Sequence, residues 1–187
     1  MGQYYRFYLN NGKEERVMCP FDYGNTFKLM EHSWVGNYFV NCAVAALQEM
    51  GEAEVIHMGD YAEDVGVDHE KYDKVWGTNE NGADIHTDLR FRDQYEFDKG
   101  EQVFIVCEER GEYIRYCFDY PVDKYGQPVG YINTFALLTA LGNGSGGGDY
   151  WGQNPHMVGI WAGKKLKVVK EEPVGLKKIH GWIFKED

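Results

Sequence analysis

The chain has 187 residues, 43% of them hydrophobic, which is enough for one domain with a sizeable core. Its formal net charge of −11 disfavours general binding to nucleic acid or to an anionic membrane surface, though not one local pocket for a small anion. No apolar run approaches the roughly 20 residues of a membrane span. The start, Met1-Gly2-Gln3-Tyr4-Tyr5-Arg6, lacks the apolar core of a signal peptide and has Arg where a myristoylation pattern wants Ser or Thr, so the expectation is a soluble cytoplasmic protein.

Residues 3–10 read as a strand, with Tyr5, Phe7 and Leu9 alternating against Tyr4, Arg6 and Tyr8. Asn11-Gly12 is a hairpin turn signal, and residues 15–18 pair back. Residues 19–25, with Pro20 and Gly24, break the strand. Residues 28–37 mix apolar anchors with Glu31, His32 and Asn37 and lead into the clearest helix. Over 37–50, Phe39, Val40, Ala43, Val44 and Leu47 recur at helical spacing, with Asn37 to cap the start and Gly51 the end. Residues 55–58 form a short buried strand that ends in Gly59-Asp60-Tyr61-Ala62-Glu63-Asp64.

Residues 63–100 are polar, acidic and weakly periodic, which points to loops and short irregular pieces; 65–100 reads as a lid or insertion. Residues 103–107 and 113–118 make a hairpin around Arg110-Gly111, the first of them a central strand because it is almost continuously apolar. Residues 120–130 hold two prolines and two glycines and read as a loop. Residues 135–141 supply a turn or two of helix, and 157–161, 166–169 and 179–184 read as closing strands. Strands outnumber helices and no βαβ rhythm recurs. The expected fold is therefore α+β over one domain, 1–187: a largely antiparallel sheet with one main helix, about 37–50, packed on it.

Between residues 142 and 152 lie six glycines, in Gly142-Asn143-Gly144-Ser145-Gly146-Gly147-Gly148-Asp149-Tyr150-Trp151-Gly152. Glycine loses the most conformational freedom on folding, so such a run costs stability. Two readings stand: backbone N–H groups turned toward an anion, or a plain surface loop. Gly142, Gly144 and Gly147 match G-x-G-x-x-G, but no helix can open at Gly148-Asp149-Tyr150-Trp151, which excludes a Rossmann site. A P-loop is excluded because no Gly-Lys-Ser/Thr follows.

Cys19, Cys42, Cys107 and Cys117 form no C-x-x-C pair and read as buried reduced thiols; spacing would allow a Cys107–Cys117 hairpin disulfide, which a reducing compartment disfavours. The six histidines show no zinc-ligand spacing, and no metal or cofactor is called for. The alternation Asp84, His86, Asp88 is a weak exception. The lysines at 167, 170, 177, 178 and 185 read as a solvated basic face.

Three segments combine irregular backbone with polar groups: 31–37, 60–64 and 143–151. If they converge they make a small-molecule pocket. Trp34, Tyr61, Tyr150 or Trp151 would stack on a base; Asp60, Asp149 or Asn37 would read hydroxyls or base edges; Asn143, Gly144, Ser145, Gly146 and Gly147 would hold phosphate. Against this, Trp34 and Trp161 read first as core aromatics, and Asp149 also as a turn cap. Gly-Asp-Tyr occurs at 59–61 and again at 148–150, either by chance or as two strand-end turns on one rim. If the protein is an enzyme, His32 is the candidate general acid–base with Glu31 or Asp60 assisting, although a lone histidine is more often structural.

The segments 31–37, 59–64, 142–150 and 159–163 together resemble a family of uncharacterised proteins of bacteriophages and Gram-positive bacteria, often beginning Met-Gly-Gln-Tyr-Tyr. That resemblance implies a phage setting and brings no established activity. In such a setting, by analogy, small acidic proteins act as sponges for nucleotide signals of host immunity. The leading expectation is sequestration of a phosphate-bearing nucleotide or cyclic nucleotide, without turnover. The alternatives are a hydrolase or phosphodiesterase acting on the same ligands, and a protein–protein inhibitor module. A homo-oligomer with a shared pocket also stays open.

Overall fold

The computed structural model describes residues 3–77, 97, 100–119, 124, 131–142, 149–152 and 154–184. It is an α+β fold. A mixed, mostly antiparallel sheet is built from β1 (Tyr5–Asn10), β2 (Glu15–Met18), β3 (Glu52–Gly59), β4 (Gln102–Cys107), β5 (Glu112–Cys117), β7 (Ala140–Leu141), β8 (Lys164–Val169) and β9 (Lys177–Ile179). Its order is β2-β1-β3-β8-β4-β5-β9, with β7 paired to β3 off this path; β6 (Tyr131–Asn133) and β10 (Trp182–Phe184) form a separate antiparallel pair.

The first hairpin follows from its turn. Asn11 Oδ1 accepts the N–H groups of Lys13 and Glu14 at 2.9 Å each, and Gly12 takes φ 82, which a residue with a Cβ resists. The main helix, α2 (Tyr38–Met50), begins where Asn37 Oδ1 accepts from Val40 N and stops at Gly51. Its buried face carries Phe39, Val40, Ala43, Val44 and Leu47 onto Phe7, Leu9, Val55, Val103, Ile105 and Leu166 of the sheet. Each of the larger side chains contributes roughly 1.5–3 kcal/mol by leaving water.

A satisfied polar thread crosses this core. Tyr116 Oη donates to Asn41 Oδ1 at 2.7 Å, Asn133 Nδ2 donates to Tyr116 Oη at 3.3 Å, and Asn41 Nδ2 reaches Phe118 O at 2.8 Å. It ties α2 to β5 and to α4 (Thr134–Leu138), because buried polar groups must find partners. The opposite sheet face is covered by α3 (His69–Trp76), where Val75 packs on Tyr8, Val17, Ile56 and Met58. Residues 69–76 therefore form a capped helix rather than an irregular piece: Asp68 accepts from Lys71 N, and Arg6 reaches Val75 O at 2.8 Å and covers the Trp76 ring. Residues 78–96, most of the expected lid and with it Asp84, His86 and Asp88, lie outside the described residues.

Residues 157–161 are not a strand. The chain turns there, and two of its N–H groups go to helix α4: Gly159 N to Leu137 O at 2.9 Å and Trp161 N to Leu138 O at 2.7 Å. All four cysteines are free; the β4–β5 register sets Cys107 opposite Glu112 and Cys117 opposite Gln102, at the two ends of the hairpin, so a disulfide between them is excluded. On the lysine-bearing side, Lys167 pairs with Glu108 and Lys178 with Glu172. No described helix is long and apolar enough to cross a membrane.

Candidate functional site

Three strand ends meet at one edge of the sheet. β1 starts opposite the end of β3, with Tyr5 facing Gly59, and β7 runs parallel to β3, with Leu141 beside Met58. The residue after β3 is Asp60 and the residue after β7 is Gly142, so both chains leave the sheet on the same side. Asp60 is fixed by reciprocal bonds: its N–H donates to Tyr4 O at 2.9 Å, and its Oδ1 accepts from Tyr4 N at 3.0 Å.

Asp149 arrives at this edge from the other end of the glycine segment. Tyr5 Oη lies 3.1 Å from Asp149 Oδ1 and 2.6 Å from Gln3 Oε1, and its single proton serves both acceptors. Gln3, Tyr5 and Asp149 are all buried. Burial, and next the charge of Asp149, drive the Tyr5 hydroxyl far above the ordinary phenol range, so it stays a donor. Asp60 is raised above the ordinary aspartate value, by burial first and by the Asp149 charge as a weaker cause. The two Gly-Asp-Tyr copies thus put their aspartates on one rim. Asp60 is held to accept from the backbone, Asp149 to accept from a tyrosine.

Glycine at 142 is demanded by packing. A Cβ there would run into the buried Gln3 amide. Gly142→Ala is expected to displace Gln3 from Tyr5 and to cost about 1–3 kcal/mol, the range for overpacking, measured by urea unfolding.

The other candidate residues are placed differently. Tyr150 is buried and packs with Tyr5, Leu29, Ile132, Leu137 and the half-buried Trp34, so Trp34 and Tyr150 form the apolar floor behind the rim. Tyr61 is half-buried and begins the single turn Ala62–Val65. Trp151 is 77% exposed. Asn37 caps α2 and donates to Asn25 Oδ1 at 2.6 Å, a structural post. Glu31 accepts from Lys28 N at 3.2 Å and closes the first turn of α1 (Leu29–His32). Asn143, Gly144, Ser145, Gly146 and Gly147 lie outside the described residues.

His32 is fully buried and shares its site with a residue that the sequence did not single out, His57 of β3. Their Nε2 atoms are 3.0 Å apart; His32 Nδ1 lies 2.9 Å from Thr26 O, and His57 Nδ1 lies 3.2 Å from Ala136 O. Burial lowers His32 to about 4 and holds His57 well below the ordinary imidazole range. With both ring nitrogens engaged and no exposed surface, His32 has no atom to offer a ligand. Gln3, Tyr5 and His57 are the residues that sequence reasoning missed. The one available signal was that Tyr5 and Gln3 are polar groups on or beside an inward-facing strand position.

Among the described residues no group of three or more His, Cys, Asp or Glu side chains could hold a metal ion. A separate open groove, lined by Val106, Lys167, Val169, Glu172 and Val174, contains none of the candidate residues. No family model, no curated protein and no solved structure matches this chain.

Proposed function

We propose that the protein binds a nucleotide at the rim formed by Asp60 and Asp149, and holds it without turnover. One observation supports this reading above the others. The glycine segment is the stretch of chain between Gly142 and Asp149, and both of those residues rest on the Gln3–Tyr5 pair. Carboxylates repel phosphate but accept well from ribose hydroxyls and exocyclic amines, whereas backbone N–H groups of a glycine run suit phosphate. The arrangement would give the ligand a direction: sugar or base edge at the aspartates, phosphate toward residues 143–148. In a phage setting this is the behaviour of a sponge for a cyclic-nucleotide immune signal.

The test is to incubate a panel of mononucleotides and cyclic oligonucleotides with the protein, and to follow them by chromatography and mass spectrometry before and after heat denaturation. A ligand that leaves solution and returns intact supports sequestration. Asp60→Asn and Asp149→Asn are each expected to weaken it about tenfold or more, as loss of a charge-assisted hydrogen bond does. Unchanged affinity in both variants would move the site elsewhere.

A second reading rests on the raised Asp60 beside a second aspartate, an arrangement that suits a general acid next to a base. A hydrolase acting on the same ligand class would return the nucleotide as a new product in the same experiment. Its acid would then be Asp60 rather than His32, which is fully buried.

A further inference from the structure

The contacts of the buried histidine pair call for more protons than two neutral rings carry. Thr26 O and Ala136 O can only accept, so a hydrogen bond at each requires a proton on each Nδ1. The Nε2 atoms, 3.0 Å apart, require one proton between them, because two facing lone pairs at that distance repel. The total is three protons. Two neutral imidazoles have two.

A bridging metal does not fit this geometry. The ring centroids are 5.0 Å apart while the Nε2 atoms are 3.0 Å apart, so the rings meet nearly head-on. An ion set on that line would need the nitrogens roughly 4 Å apart, twice a zinc–nitrogen bond of about 2 Å. A proton fits.

We infer that His32 and His57 form a proton-binding site: the pair takes up one proton from solvent and, so charged, shares one proton between its two Nε2 atoms. In the neutral pair the weaker contact is the one given up. His57 Nδ1 stands 3.2 Å from its carbonyl, against 2.9 Å for His32, so His57 carries its proton on Nε2 and donates to His32. The added proton then enters at His57 Nδ1, completes the bond to Ala136 O and leaves every contact satisfied.

The surroundings suit a transient cation. Phe7 stacks on the His57 ring at 4.1 Å and 12°, and Phe39 meets His32 edge-on at 5.2 Å. A stacked aromatic face attracts an imidazolium. Ionisable groups facing the pair are few. On the helix of His32, Glu31 is drawn to Lys28 at the surface; from β1, Tyr5 lies 5.2 Å from His57 by ring centroids, with Asp149 behind its hydroxyl; from α2 and α4 come Phe39 and the Ala136 carbonyl. Desolvation opposes the charge, so uptake belongs to acid rather than neutral pH.

Long-range proton–nitrogen spectra of the histidine side chains, taken on the 15N-labelled protein from pH 8 downward, test this. Expected are opposite neutral tautomers at pH 8, and then a single midpoint at which both rings change together. Separate midpoints would overturn it, as would two Nδ1–H tautomers at pH 8, or no change in either ring down to acid unfolding. In His57→Gln the shared step is expected to vanish, and His32 to stay neutral across the same range; a His32 that titrates at the wild-type midpoint would refute sharing. If that variant does not fold, the wild-type spectra decide.

Discussion

Acidification from pH 7 to pH 4 is expected to remove roughly 3 kcal/mol of folding stability through His32, and His57 adds to that loss. His32 is held at about 4 against an ordinary 6.5, and His57 well below 6.5, by burial. Unfolding frees both rings to protonate near pH 6.5. Between pH 6.5 and 4 the unfolded chain therefore binds more protons than the folded one, and stability falls with pH. Above 6.5 the contribution is complete; it fades through the window and is spent once pH drops below the folded value. Asp60 works in the opposite sense, since its folded value is raised, but it is only half-buried. The lowered carboxylates, Glu15, Glu112 and Glu172, start to count below about their ordinary 4.5. Urea midpoints at half-unit intervals would resolve the slope. A double variant, His32→Gln with His57→Gln, should flatten the curve between pH 6.5 and 5; an unchanged slope would assign the acid loss to other groups.

The largest single-site loss is expected at Trp161. Its side chain is fully buried among α2, α4 and the sheet, and its Nε1 donates to Glu112 Oε2 at 3.1 Å. Trp161→Ala removes the ring and leaves a cavity, which costs about 3–5 kcal/mol. It also strips a donor from Glu112, which keeps its ion pair with Arg110 at 2.8 Å. Trp161→Phe retains most of the volume and should lose less than half as much. Equal losses in the two variants would show that the hydrogen bond, and not the packing, is what the site depends on.

The local grammar of the chain was legible where partners are close in sequence. Asn37, the apolar positions of 38–50 and Gly51 announce a helix and its two ends, and Asn11-Gly12 announces a hairpin. The alternation of Tyr5, Phe7 and Leu9 gives the buried face of β1. Residues 157–161 misled because an apolar run carries no information on where its N–H groups bond; those of Gly159 and Trp161 bond to α4, and the others close local turns. Helix 69–76 was hidden because its one fully buried apolar residue, Val75, depends on the far face of a sheet assembled from distant strands. The candidate site was half legible. Asp60, Asp149 and Tyr150 stood out, whereas the groups that hold them did not: Tyr5 and Asp149 are 144 residues apart, and His32 and His57 are 25 apart. A repeated Gly-Asp-Tyr hints at a shared rim, but β7 lying parallel beside β3 is what brings the two copies together.

The position of β8 in the sheet sets the order in which a growing chain can finish folding. Strand β8 sits between β3 and β4, although residues 164–169 are synthesised after both, with β5, β6 and β7 coming between β4 and β8. A nascent chain emerging from the ribosome can assemble β2-β1-β3 as one ribbon and β4-β5 as another, but each then presents a bare edge that its neighbour cannot fill. The seam closes once Leu166, fully buried at its centre, has been synthesised. Slow translation or stalling before residue 164 would leave two open edges side by side, the situation in which a trans-acting chaperone, or another copy stalled at the same codon, competes for the gap.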